Sequence, residues 1–266
     1  MNFGTPGTLG KTGLEAGRLG IASSYRASAE AFEEAFERGC NYFVWNSFIR
    51  GRSKEMKKAI RNIVSKGQRD KLIIAMHSYG HDAFINRYFL QRSLKALGVD
   101  HIDVMLLGYY SRKPGKNVLA GALRLKEKGL TRFVGVTGHS RKLFPKLDEE
   151  GKLDVFHVRY NAVNKGAETD VFPHLKERDR MGVVAFTATR WGQLLQQKRM
   201  PEGEIAPTAA DCYRYVLSNP NVDVCLTGTK DIKQMRENLS LLELGPMNEQ
   251  EMERMRRIGD FLYNKK

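Results

Sequence analysis

The sequence is poor in cysteine and has no long apolar run, and each absence narrows what the chain does. Cys40, Cys212 and Cys225 are the only three cysteines among 266 residues. Three cannot all pair, their spacing matches no zinc site, and each sits in an apolar stretch. Buried, reduced thiols are therefore expected, and a metal site is not. The longest apolar runs, such as 104–107, are strand-length. A bilayer span takes about 20 residues, so no membrane partner is expected. The opening residues, MNFGTPGTLGKTGL, contain no apolar core like that of a secretion signal, and a cytoplasmic location is the expectation. No low-complexity linker and no repeat at the level of sequence divides the chain.

The formal charge of +14 is the composition's one strong bias. A basic protein attracts phosphate, so nucleic acid, an anionic membrane and a phosphorylated cofactor all need weighing. The basic residues are dispersed, as at 54–58, 124–128 and 254–257, with acids interleaved. Dispersed charge describes a solvated surface rather than a groove, and no aromatic-basic motif accompanies it, so a nucleic-acid partner is not expected.

Organisation is the most informative feature. Short β-rich segments alternate eight times with segments of helical period: strands at 18–24, 41–45, 71–76, 102–107, 132–137, 154–158, 182–186 and 222–226. The helices that follow them fall at 28–38, 53–64, 84–97, 116–128, 141–149, 169–180, 209–217 and 232–242, the seventh after a loop around 200–207. The strands are almost wholly apolar, as strands covered on both faces read. Eight such units in about 250 residues predict a closed (β/α)8 barrel occupying 1–266 as one domain. Lys11-Thr12-Gly13 predicts an N-terminal hairpin across its base, and 248–263 one extra C-terminal helix.

Several motifs resemble the aldo/keto reductase family. Leu9-Gly10-Lys11-Thr12-Gly13-Leu14 looks like that family's opening hairpin. The run from Ser93 to Asp103, SLKALGVDHID, resembles its third-helix-to-fourth-strand signature. Lys128-Gly129-Leu130 through Gly135-Val136-Thr137-Gly138 is similar to "KGKIRYIGVSN", Val158-Arg159-Tyr160-Asn161 to "VEYN", and Glu237-Asn238-Leu239 to the "ENL" beside the cofactor's adenine. The resemblance runs end to end and in order. It implies a small-molecule carbonyl or hydroxy substrate, NADP(H) as cofactor, and catalysis by a Tyr proton donor aided by Lys, Asp and His. Such a group is needed because hydride transfer develops alkoxide charge that a donor of tuned pKa must meet.

All four of those positions are changed. The family's Asp falls on Val44, its Tyr in the loop Phe48-Ile49-Arg50-Gly51, its Lys on His77 and its His on Gly108. A rebuilt site at the C-terminal mouth of the barrel would draw on His77, Tyr109 and Tyr110, with His77 titrating near neutrality. Tyr25, Trp45, Phe48 and Tyr79 are expected to wall the substrate pocket. The nucleotide positions are better kept. Phe186 stands where the family stacks an aromatic on nicotinamide, and Thr137, Gly138 and His157 where it binds the carboxamide. Gly228, Thr229, Lys230 and Gln234 precede or open a helix suited to phosphate, with Lys230 placed for a 2′-phosphate. Asn238 matches the adenine-binding Asn, and Ser23, Thr187 and Arg190 complete the cofactor set. Two readings stand: an NADP(H)-dependent oxidoreductase with an atypical proton donor, and a non-catalytic barrel that binds a nucleotide or small ligand.

Overall fold

Eight parallel strands close on themselves: β3 (Leu19–Ala22), β4 (Tyr42–Trp45), β5 (Ile73–Ser78), β6 (Ile102–Leu107), β7 (Thr131–Thr137), β8 (Val155–Arg159), β9 (Gly182–Phe186) and β10 (Val224–Thr227), the last bonded back to the first. Ahead of them, β1 (Gly7–Thr8) and β2 (Glu15–Ala16) form an antiparallel hairpin. This computed structural model describes residues 2–23, 26–45 and 53–265. The hairpin carries Leu9 and Leu14 into the interior cluster, where they meet Ile73, Val155 and Val184 and plug one end of the barrel. The (β/α)8 architecture read from the periodicity is the observed one.

Helices flank the strands: α1 (Ala29–Glu37), α2 (Lys54–Ser65), α3 (Ala83–Leu97), α4 (Lys116–Glu127), α5 (Leu143–Glu150), α6 (Ala167–Asp170), α7 (Ala209–Leu217), α8 (Ile232–Leu239) and the extra α9 (Glu249–Asn264). Their starts follow side-chain chemistry. Asp82 accepts from the amides of Phe84 and Ile85, and Thr208 with Asp211 and Asn248 with Glu251 form reciprocal capping boxes. Gly129 ends α4 at φ 71°, as its position predicts. The sixth predicted helix, 169–180, is the main misreading. It shrinks to α6 and one 3-10 turn, Phe172–His174, because Pro173 has no amide to donate and disfavours helix at Phe172. The chain beyond is held by Asp148 instead, which accepts from the amides of Lys176 and Met181. The eighth helix also stops early, at Leu239, and passes into a 3-10 turn at Ser240–Glu243.

Period-two alternation sorts the strands into two layers. Tyr42, Val44, Ala75, Val104, Leu106 and Val155 fill the barrel; Phe43, Trp45, Ile74, Met105, Phe156 and Val158 face the helices. Cys40, Cys212 and Cys225 are buried and unpaired, and burial pushes the Cys40 thiol up to about 12. Among the described residues no helix is long and apolar enough to cross a membrane.

Three buried aspartates repeat one device at the N-terminal ends of the alternate strands β6, β8 and β10. Asp103 accepts from the Ile74 amide, Asp154 from Val134 and Asp223 from Val183, each reaching to the preceding strand. Each also meets a cation: Arg69 at 2.9 Å and Arg132 at 3.0 Å for Asp103, Lys126 at 2.7 Å for Asp154, and Arg180 at 2.7 Å for Asp223. Asp103→Ala strands an amide and two guanidinium groups and is expected to cost about 3 kcal/mol. Urea denaturation measures this; a loss below about 1 kcal/mol would show that the clamp contributes little.

Candidate active site

The inward-facing positions at the C-terminal strand ends converge on a cleft of about 390 Å³. His77 sits two residues beyond interior Ala75, and its ring centroid lies 5.8 Å from Tyr79, 6.5 Å from Tyr109 and 5.9 Å from His157. Deeper in, His157 Nε2 and Tyr42 Oη share a buried hydrogen bond of 2.9 Å. Burial holds both imidazoles neutral. His77 is lowered to about 4, and His157 falls well below its ordinary range through burial and then through His77 beside it. The expectation that His77 titrates near neutrality is therefore corrected. At pH 7 it is a neutral ring, able to donate one hydrogen bond but carrying no charge to relay.

At Gly108 the local packing leaves no room for the family's side chain. The Gly108 amide donates to Ser78 O at 2.8 Å. A Cβ on Gly108 would stand 2.9 Å from that oxygen and 3.0 Å from the Tyr79 ring, so Tyr79 fills the space a larger side chain would use. The loop then turns through Tyr109 at φ 48°, a left-handed conformation uncommon for a side-chain-bearing residue. The Tyr110 amide donates to Thr137 O at 3.0 Å. That brings the Tyr110 carbonyl so close to Gly138 that a Cβ there would lie 2.1 Å from it. Glycine at 138 follows from the rerouted 108–110 loop.

Tyr110 itself faces away from the cleft. It packs in the helix-facing layer against His81, with its buried hydroxyl unpartnered, so its assignment to the catalytic group is corrected. Trp45 is corrected likewise. Alternation puts it on the outer face of β4, where Nε1 donates to Ser53 O at 3.1 Å. Ser23 is buried at the end of β3 and its amide donates to Val44 O. Tyr25 and Phe48 lie outside the described residues, as does the 48–51 loop. Tyr79 and Tyr109 stack at 5.4 Å and 19° beside His77.

The cleft is also lined by Thr137, His157, Phe186, Thr187 and Gly228, all expected at the cofactor. Thr187 Oγ1, Thr229 Oγ1 and Asn238 Oδ1 are buried without a hydrogen-bond partner. The Asn238 amide nitrogen donates to Thr227 Oγ1 at 2.9 Å, and Thr227 Oγ1 lies 2.7 Å from the Tyr213 hydroxyl. At the start of α8, Asp231 caps the helix and the Gln234 side chain accepts from the Lys230 amide at 2.9 Å; Lys230 is exposed. Arg190 donates to Leu262 O at 3.0 Å, tying this loop to α9. No cluster of metal-ligating side chains occurs among the described residues.

Sequence reasoning missed His139, Trp191, Tyr213 and Thr227, which also line the cleft. His139 was legible: Gly135 and Thr137 alternate with outward Val134 and Val136, and one further step of that period reaches it. Its ring stands 6.1 Å from both Tyr109 and Phe186.

Gly138→Asn restores the family's residue type but drives Cβ into the Tyr110 carbonyl. A loss of about 2 kcal/mol is expected in thermal denaturation, and an unchanged midpoint would refute the packing explanation. The histidines make a second prediction. With His77 and His157 depressed below their ordinary 6.5, the unfolded chain binds protons below that pH that the folded chain refuses. Stability is present above about pH 6.5 and falls as pH drops toward 4. Urea midpoints at pH 7 and pH 5 are expected to differ more for the parent than for His77→Asn; equal differences would contradict burial as the cause.

Residues 8–211 match the model of the Aldo/keto reductase family. The L-galactose dehydrogenase of Arabidopsis thaliana is 24% identical over 279 residues, covering 87% of this chain and 86% of that protein. The uncharacterized oxidoreductase YrpG of Bacillus subtilis is 20% identical, covering 89% and 90%. Among solved structures, the holo form of the aldo-keto reductase AKR11C1 from Bacillus halodurans superposes with a TM-score of 0.77 at 20% identity, covering 94% of each chain. With a closed barrel, the family's hairpin and a match over most of its length, the chain belongs to the aldo/keto reductase family.

Proposed function

We propose that the chain is an NADP(H)-dependent oxidoreductase of small carbonyl or hydroxy compounds, a single domain over 1–266 with a rebuilt proton-donor site. The three unpartnered oxygens of Thr187, Thr229 and Asn238 carry this reading, because they sit on or directly behind the cleft wall that holds Phe186. Buried polar atoms are ordinarily paired, and three together suit a polar ligand that completes them. The dehydrogenase and oxidoreductase names of the two relatives agree with it.

The chemistry NADP(H) supplies when bound is hydride exchange with a carbonyl carbon. Phe186 offers a flat wall to the nicotinamide, Thr137 and His157 face its carboxamide, and Gly228, Thr229, Lys230, Gln234 and Asn238 hold the nucleotide. Arg190 and Ser23 act through the backbone they fasten. The substrate oxygen is met by neutral His77, whose N–H stabilises developing negative charge without itself being an acid. The exposed hydroxyl of Tyr109, stacked against Tyr79, delivers the proton.

A binding-only barrel is the second reading. It is favoured by one observation: Asp231 and Gln234 already satisfy amides at the start of α8, where a phosphate would otherwise be drawn. NADPH fluorescence separates the two. Binding at micromolar cofactor with oxidation of NADPH by a carbonyl panel is expected, and no binding at high micromolar cofactor would overturn the oxidoreductase reading. His77→Ala should lower turnover at least about tenfold while leaving cofactor affinity within about twofold. Equal turnover would remove His77 from the mechanism.

A further inference from the structure

Arg159 is the last residue of β8, opposite Phe186 in the pairing register. Its strand alternates cleanly: Val155 fills the barrel and His157 lines the cleft, while Phe156 and Val158 face the helices. The same period carries the Arg159 side chain over the barrel mouth. Its charge is felt by His139 on the cleft wall, which is held below its ordinary range by partial burial and then by Arg159.

What sets Arg159 apart is the lack of a partner. Seven other arginines are half-buried, and each is engaged. Arg69, Arg141, Arg180, Arg214 and Arg254 meet carboxylates, and Arg18 and Arg190 donate to backbone carbonyls. Among the described residues Arg159 makes no ion pair and no hydrogen bond. The described lining of the cleft contains no Asp or Glu that would neutralise it. A half-desolvated guanidinium costs stability unless something supplies oxygen atoms to its five donors. On the cleft wall the rings of Tyr109 and His139 lie 27° from parallel with centroids 6.1 Å apart, and Tyr79 stacks behind Tyr109 at 5.4 Å and 19°. Such a wall favours a flat, unsaturated ligand.

We propose that the cleft takes a planar, ring-bearing substrate with a carboxylate, and that Arg159 is the residue that grips the carboxylate. The fork of the guanidinium matches the two carboxylate oxygens and fixes the orientation of the attached carbonyl against the tyrosine and histidine rings. An aryl 2-oxo acid is the simplest compound with both features. The proposal rests on the oxidoreductase reading for the carbonyl and not for the anion, so the two fail separately.

The test compares phenylglyoxylate with its uncharged methyl ester by titration calorimetry on the full chain, with and without NADP+. The parent should bind the acid about tenfold or more tightly than the ester, the usual worth of a charge-assisted hydrogen bond. Arg159→Met should bring the two within about twofold while ester affinity holds, and Arg159→Lys should keep part of the preference. Equal binding of acid and ester by the parent, or a preference that survives Arg159→Met, overturns the proposal. If Arg159→Met lowers NADP+ affinity and leaves the acid preference untouched, Arg159 serves the cofactor and the proposal is likewise overturned. If the Arg159-dependent preference appears but NADP+ does not bind, the carboxylate site stands and the oxidoreductase reading falls. Should Arg159→Met not fold by circular dichroism, the acid-to-ester ratios of the parent and Arg159→Lys decide.

Discussion

Strand register is the constraint on which the rest of this molecule depends, and three aspartates fix it. Side chains on a strand alternate between faces, so a slip of one residue would turn His77, His157 and Phe186 out toward the helices and bring Trp45 and Val158 in. Asp103, Asp154 and Asp223 each bond a backbone amide on the neighbouring strand and an Arg or Lys at the same end. The clamps stand at the N-terminal ends of their strands, opposite the cleft. Stability and chemistry are thus separated along the barrel axis, and the mouth is free to vary without loss of closure.

The loss at Gly108 belongs to a coupled packing change that reaches Gly138. Tyr79 occupies the space over Gly108, the loop rises through Tyr109 in a left-handed turn, and the returning Tyr110 carbonyl presses on Gly138. Each feature requires the next. A glycine stands at 108 because a ring lies against it, and a glycine at 138 because a backbone does. The result exchanges a charged catalytic group for neutral imidazoles and stacked tyrosines, with the Tyr42–His157 bond as its buried footing. Hydrogen-bond donation in a desolvated cleft is what such a set offers.

The barrel was legible because its signal is periodic and redundant: eight apolar segments and the helices between them agree, so that one misjudged helix at 169–180 does not disturb the topology. That helix failed on local chemistry, at Pro173, which the apolar pattern outweighed. The site was legible only in part. The cleft-lining positions of His77, Tyr109, Phe186 and Thr187 followed from strand ends and the family's motifs, whereas Tyr79 packs behind Tyr109 rather than lining the cleft. Trp45 and Tyr110 were misplaced because proximity in sequence to a strand end does not say which face a side chain takes; alternation does. The same period, carried one step past the last strand residue, places His139 and Arg159 at the mouth. The burial of His77 was not legible, and it is that burial which moves His77 from a titrating acid to a neutral donor.

The claim that this cleft is a nucleotide-dependent redox site with a new donor set is tested most directly by a crystal structure of the chain grown with NADP+. The expected density places the nicotinamide against Phe186, with the hydroxyls of Thr187 and Thr229 hydrogen-bonded to the ligand and His77 facing the ring across the cleft. NADP+ bound away from the cleft, or density in which those hydroxyls stay unpartnered, would contradict it.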